Sequence, residues 1–121
     1  MGLDMYAFST SFDIPAVDFT APDDRSELHY WRKHPDLHGW MRDLYHSRGG
    51  ADDKFNCVPL RLDAADLDAL EEAVKSASLP HTQGFFFGES DGSEVSDDLH
   101  FVHKARDAIA SGKSIFYWSW W

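Results

Sequence analysis

At 121 residues, 43% of them hydrophobic and 15% aromatic, the chain holds enough apolar material for one core and is too short for a second domain. Eleven Lys and Arg against 21 Asp and Glu give a formal charge of −10. That charge repels phosphate backbones, so direct nucleic-acid binding is not expected, whereas a partner with a basic surface would be attracted. Acid gathers toward the C-terminal side: five cations and eight acids precede residue 51, and six cations and thirteen acids follow it. The plainer role of such charge is solubility.

Cys57 is the only cysteine, which excludes an internal disulfide and any CxxC redox or zinc motif. The start of the chain has no basic segment and carries Asp4 inside its apolar stretch, so it does not read as a secretory signal. No apolar run is long enough to span a bilayer. A cytoplasmic protein without membrane contact is expected.

In chain order, the alternation over Leu3–Phe8 predicts a first strand, whose second face carries Tyr6 and Phe8 and which should therefore be central. Residues 9–26 read as loop, with Ile14–Phe19 a short edge segment in which Pro15 bars a central ladder. The segment Glu27–Lys33 precedes a helix that Pro35 and Asp36 open and Gly49 closes. Its stripe of Leu37, Trp40, Met41, Leu44 and Tyr45 faces the core, and His38, Arg42 and His46 form an outward stripe. Gly39 costs about 1 kcal/mol relative to alanine and permits a close contact. Phe55–Leu62 predicts a second strand, at an edge or bulged because of Pro59. Asp63 then caps a helix from Ala64 to near Ala77. Gly84–Gly88 predicts a third strand buried on both faces, and Ser96 caps a third helix running through Leu99, Val102, Ala105 and Ile109. The aromatic run Ile115–Trp121 is the last strand. Phe116, Trp118 and Trp120 share one of its faces, which leaves Tyr117 and Trp121 on the other for a helix, a second copy of the chain or a partner. The resulting expectation is an α+β fold: a single domain over residues 1–121, with a four-stranded mixed or antiparallel sheet and three helices mainly on one face.

Several constellations could carry chemistry. His100, His103 and Asp107 share one helix face with the spacing of metal ligands, although the same spacing describes a solvated face. Cys57 could pair with a histidine, but a lone cysteine within a strand is more often a small buried apolar residue. No strand is followed by a phosphate-cradling glycine loop, so no cofactor is expected. Tyr30, Trp31, Arg32 and Lys33 are the best candidates for binding, since two aromatics beside two cations suit a planar or anionic ligand or a protein hot spot. With them stand His38, Asn56 and Trp121.

The opening Met1–Tyr6, the segment Glu27–Lys33 with His38 and Trp40, Phe55–Cys57, Leu79–Pro80 with Gly84–Gly88, and the terminal aromatic strand resemble a family of small phage and prophage proteins. The resemblance covers nearly the whole chain in the same order. Some members carry a phosphoglycerate kinase label, which a chain this short without a nucleotide motif does not support. Where relatives tend toward Tyr-Gln-Ser-Ser-Trp, this chain ends Tyr117-Trp-Ser-Trp-Trp121. The resemblance implies a phage or prophage accessory protein, non-enzymatic and acting in the bacterial cytoplasm. It would bind and modulate a host or phage protein, as an anti-defence inhibitor of the anti-CRISPR kind does. A small-ligand-binding domain or small enzyme with a site around Trp31, Arg32, His38, Asn56 and Cys57 is the alternative. A phage structural or assembly component is another, and a homodimer is compatible with each.

Overall fold

A computed structural model of the chain describes residues 2–84 and 86–121. Seven elements follow one another: β1 (Asp4–Thr10), β2 (Ser26–Arg32), α1 (Pro35–Ser47), β3 (Leu60–Leu62), α2 (Ala64–Lys75), α3 (Val95–Ala110) and β4 (Ser114–Trp120). The strands form one antiparallel sheet in the order β2-β1-β4-β3. The fold is therefore α+β, with the first and last strands at the centre of the sheet.

Strand alternation decides what faces the helices. Met5 and Ala7 of β1, Trp31 and His29 of β2, Leu60 and Leu62 of β3, and Ile115, Tyr117 and Ser119 of β4 are all buried. Against this layer α1 brings Leu37, Met41 and Tyr45, α2 brings Leu67, Leu70 and Val74, and α3 brings Phe101, Val102 and Ala105. The opposite sheet face carries Tyr6, Phe8, Tyr30, Phe116, Trp118 and Trp120. Register explains this, because Tyr6 stands opposite both Tyr30 and Trp118, and Phe8 opposite Phe116. Their rings form a continuous belt, with Tyr6 5.1 Å from Tyr30 and 5.8 Å from Trp118, and Phe8 5.3 Å from Phe116. The loop after β1 covers one end of the belt, setting Phe19 edge-on to Phe116 at 5.5 Å.

Expectation and structure part at four elements. Glu27–Lys33 is mostly an edge strand; the shift in register between Ala7 and Phe8 breaks its alternation and hides the pattern. Phe55–Leu62 is a strand only over its last three residues, because Phe55 and Cys57 take left-handed φ of 49° and 61°. In Gly84–Gly88 the described residues form a turn and coil rather than a strand. Phe86 and Gly88 have φ of 63° and 74°, the Phe87 amide donates to the Gly84 carbonyl at 3.2 Å, and Phe87 alone of the described aromatics there enters the core. Phe85 lies outside the described residues. In the terminal strand Tyr117 lies in the core, and Trp118 and Trp120 lie on the uncovered face.

The helix boundaries follow their caps. Asp63 accepts the Asp66 amide at 2.9 Å, and the Asp66 carboxylate accepts the Asp63 amide at 2.9 Å, a reciprocal box that fixes the start of α2. Helix α3 starts at Val95, one residue before the expected Ser96 cap, with Asp97 and Asp98 in its first turn. Gly39 is buried in α1, and a Cβ there would lie 1.9 Å from Thr82 Oγ1, which is the close contact its presence allows.

Candidate functional site

The segments singled out in the sequence converge at the end of the sheet where β1 begins and β2 and β4 finish. Register places Asp4 opposite both Arg32 and Trp120. Beyond Arg32, Lys33 turns the chain with a φ of 55° while its amide donates to the Leu3 carbonyl at 2.8 Å. Asn56 grips the last residue from both sides: its Nδ2 donates to the Trp121 carbonyl at 2.9 Å, and its Oδ1 accepts the Trp121 amide at 3.0 Å. Next to it, the Cys57 amide donates to the Ser119 carbonyl at 2.9 Å. Lys33, Phe55 and Cys57 are left-handed non-glycine residues, each costing about 1–3 kcal/mol; Asp18, Ala77 and Phe86 share that conformation elsewhere in the chain.

Gly2, Asp4, Arg32, Trp120 and Trp121 line a slot of about 310 Å³ at this end. Asp4 Oδ1 accepts from the Tyr30 hydroxyl at 2.7 Å and from Arg32 Nε at 3.2 Å. Trp120 stands 60% exposed beside it. Beneath, Trp121 meets Phe87 edge-on at 5.0 Å, and His38 stacks on Phe55 at 5.1 Å.

The predicted binding residues therefore divide. Arg32 and Trp121 line the slot, Lys33 flanks it, Asn56 holds the Trp121 backbone without lining it, and Tyr30 joins the slot through Asp4. Trp31 is in the core on the opposite sheet face. His38, expected on an outward stripe of α1, is only 1% exposed. Its Nδ1 pairs with the Tyr117 hydroxyl at 2.7 Å. Burial, with a smaller contribution from Arg42, pulls the His38 pKa down to about 3, so the ring is neutral at physiological pH. Burial likewise holds the Tyr117 hydroxyl well above its usual range. Cys57, expected to be a buried apolar residue, is exposed. Partial desolvation and the Asp52 carboxylate raise its thiol pKa, which keeps the less reactive protonated form at neutral pH.

A second polar cluster lies beneath α3 and was illegible in sequence. Asp98 is 1% exposed; its Oδ1 accepts the Trp31 indole N–H at 3.1 Å and its Oδ2 pairs with His34 Nε2 at 2.8 Å. The other His34 nitrogen lies 2.6 Å from Ser90 Oγ, which also accepts the Asp36 amide at 3.1 Å and so caps α1 from a distant loop. Ser90, His34 and Asp98 have the composition of a hydrolytic triad. Their setting opposes that chemistry: Glu94 lies 3.8 Å from His34 Nδ1, and Asp36, Glu94 and Asp98 line the adjoining cavity of about 180 Å³. Carboxylates there repel the oxyanion that acyl transfer must stabilise. The cluster instead ties β2, α1 and α3 together.

Charge is partitioned between the layers. Residues 63–110, which contain α2 and α3, hold eleven acids and three cations. Asp63, Asp68, Glu72, Glu89, Asp91, Asp97 and Asp107 among them are exposed. Arg106 ties the two helices by donating to Glu71 at 2.9 Å and Asp68 at 2.7 Å. Of the metal-ligand spacing on α3, His103 and Asp107 form an exposed pair at 3.5 Å, while the His100 ring faces His29 at 6.3 Å. Among the described residues no cluster of three His, Cys, Asp or Glu is placed to hold a metal, and no helix is long and apolar enough to cross a membrane. No family model, curated protein or solved structure matches the chain.

Proposed function

We propose that this chain is a non-enzymatic accessory protein of a phage or prophage that binds a host or phage protein and modulates it. The observation that carries this reading is the charge of residues 63–110, eleven acids against three cations, spread over the helical layer opposite the aromatic sheet face. An acidic layer on a rigid two-helix support attracts a basic surface and speeds encounter with it. A groove that holds nucleic acid is such a surface, so a host defence or nucleic-acid-handling complex is the class of target, with anti-CRISPR-like inhibition included. The family resemblance supports the phage origin.

The test is retention of a bacterial protein on the immobilised chain at moderate salt. Glu72→Gln, Glu89→Gln and Asp107→Asn together remove exposed acids of this layer. Asp13→Asn, Asp23→Asn and Asp53→Asn remove the same charge elsewhere. The first set abolishes retention and the second preserves it. Retention by both sets alike, or by neither wild type nor variant, defeats the reading.

A further inference from the structure

We propose that the slot at the β1–β2–β4 end of the sheet binds a small planar anion, one ring system bearing one phosphate or carboxylate. The inference does not depend on the acidic layer or its partner. The slot's volume of about 310 Å³ is at the lower end of small-molecule sites, which suits a single ring system. One wall is the Trp120 indole, 60% exposed, an apolar plane on which a ring can stack. The neighbouring Trp121, which also lines the slot, is held by Asn56 at 2.9 and 3.0 Å and by the edge of Phe87, so its part of the lining is ordered before a ligand arrives.

The anion's partners are Arg32 and Lys33. Arg32 spends its Nε on Asp4 at 3.2 Å, and its two terminal nitrogens make no hydrogen bond among the described residues. Asp4 is in turn occupied by Tyr30 at 2.7 Å, so its charge is already shared. A Cβ on Gly2 would meet Arg32 Nη2 and a Lys33 side-chain carbon, each at 2.9 Å, so both cationic side chains converge over Gly2. Lys33 has no ion pair among the described residues and runs on across Gly88, whose added Cβ would lie 3.0 Å from Lys33 Cβ. Arg32 and Lys33 thus bring two cations beside the single side-chain carboxylate of Asp4 on a chain of charge −10. A guanidinium fork with free donors matches the oxygens of a phosphate or carboxylate, and the indole supplies the affinity for the ring.

The experiment follows the indole N–H signal of Trp120 in nitrogen-labelled protein, assigned with Trp120→Phe. The probes are adenosine monophosphate, indole-3-acetate, adenosine and inorganic phosphate. At least one of the two ring-bearing anions shifts that signal and saturates with a Kd of about 1 mM or tighter, and which one does so tells phosphate from carboxylate. Adenosine and inorganic phosphate bind about tenfold more weakly or worse. Trp120→Ala, read at the indole N–H signal of Trp121, which also lines the slot, and Arg32→Gln, read at Trp120, each weaken the binding about tenfold; the remaining spectrum reports whether each variant is folded, and Arg32→Lys, which keeps the charge and loses the fork, serves if Arg32→Gln is not. The proposal is overturned if neither ring-bearing anion moves Trp120, if adenosine binds as tightly as its monophosphate and no carboxylate binds, or if the shifts persist in both variants.

Discussion

Replacing Asp98 by alanine is the sharpest probe of how the layers are joined. The carboxylate is 1% exposed and accepts from two buried donors, Trp31 Nε1 at 3.1 Å and His34 Nε2 at 2.8 Å. Alanine removes both acceptors at once. Each stranded donor costs about 1–3 kcal/mol, so with two of them a loss of about 2–6 kcal/mol is expected. That is a large part of the about 5–15 kcal/mol a domain of this kind has. Asparagine keeps one acceptor and should lose less than alanine. Asp97 provides the control on the same helical turn: it pairs with His29 at 3.0 Å but its side chain is 52% exposed, so Asp97→Asn should cost under about 1 kcal/mol. Urea unfolding followed by tryptophan fluorescence measures all three. A cost for Asp98→Ala no greater than that for Asp97→Asn would refute the view that Asp98 holds β2, α1 and α3 together.

Three further outcomes follow from the structure. His38 binds a proton in the unfolded chain near pH 6.5 and in the folded chain only near pH 3. The unfolded state therefore takes up the extra proton across that window, and stability falls as pH drops through it, by about 2 kcal/mol at pH 5; the slope of unfolding free energy against pH should flatten in His38→Gln. Asp24 acts in a lower window. Hydrogen bonds from Ser11 and Thr10 hold its pKa at about 2, so its contribution is present above the ordinary carboxylate range and is lost as pH falls toward 2, a loss absent from the acid titration of Asp24→Asn. Asn56→Ala frees the backbone of Trp121 and should cost about 1–2 kcal/mol, with faster hydrogen exchange confined to the end of β4; unchanged exchange there would count against the clasp.

Residues whose neighbours are close in sequence were legible beforehand. The helices α1, α2 and α3 each announce themselves by a 3.6-residue apolar stripe, and Asp63 with Asp66 encodes its own cap. Strand β4 is apparent from its aromatic alternation, but alternation cannot say which face turns inward, and Tyr117 rather than Trp118 does so. His38 looked like part of a solvent stripe because it sits one position from the apolar series; its partner Tyr117 is 79 residues away. The Ser90–His34–Asp98–Trp31 cluster is likewise assembled from β2, α1, α3 and a loop, and no local spacing signals it. Arg32, Lys33, Asn56 and Trp121 were recognisable as binding candidates by residue type. That Arg32 and Trp121 line one slot, with Lys33 beside it and Asn56 holding Trp121, depends on the antiparallel return of β2 and β4 to the start of β1.

Hydrogen exchange on the complex with a captured partner tests the central claim most directly, because it reports which layer the partner covers. Slowed exchange over residues 63–110, lost together with binding when Glu72, Glu89 and Asp107 are neutralised, is the predicted result. Protection confined to β1, β2 and β4, with residues 63–110 exchanging as in the free chain, would contradict it.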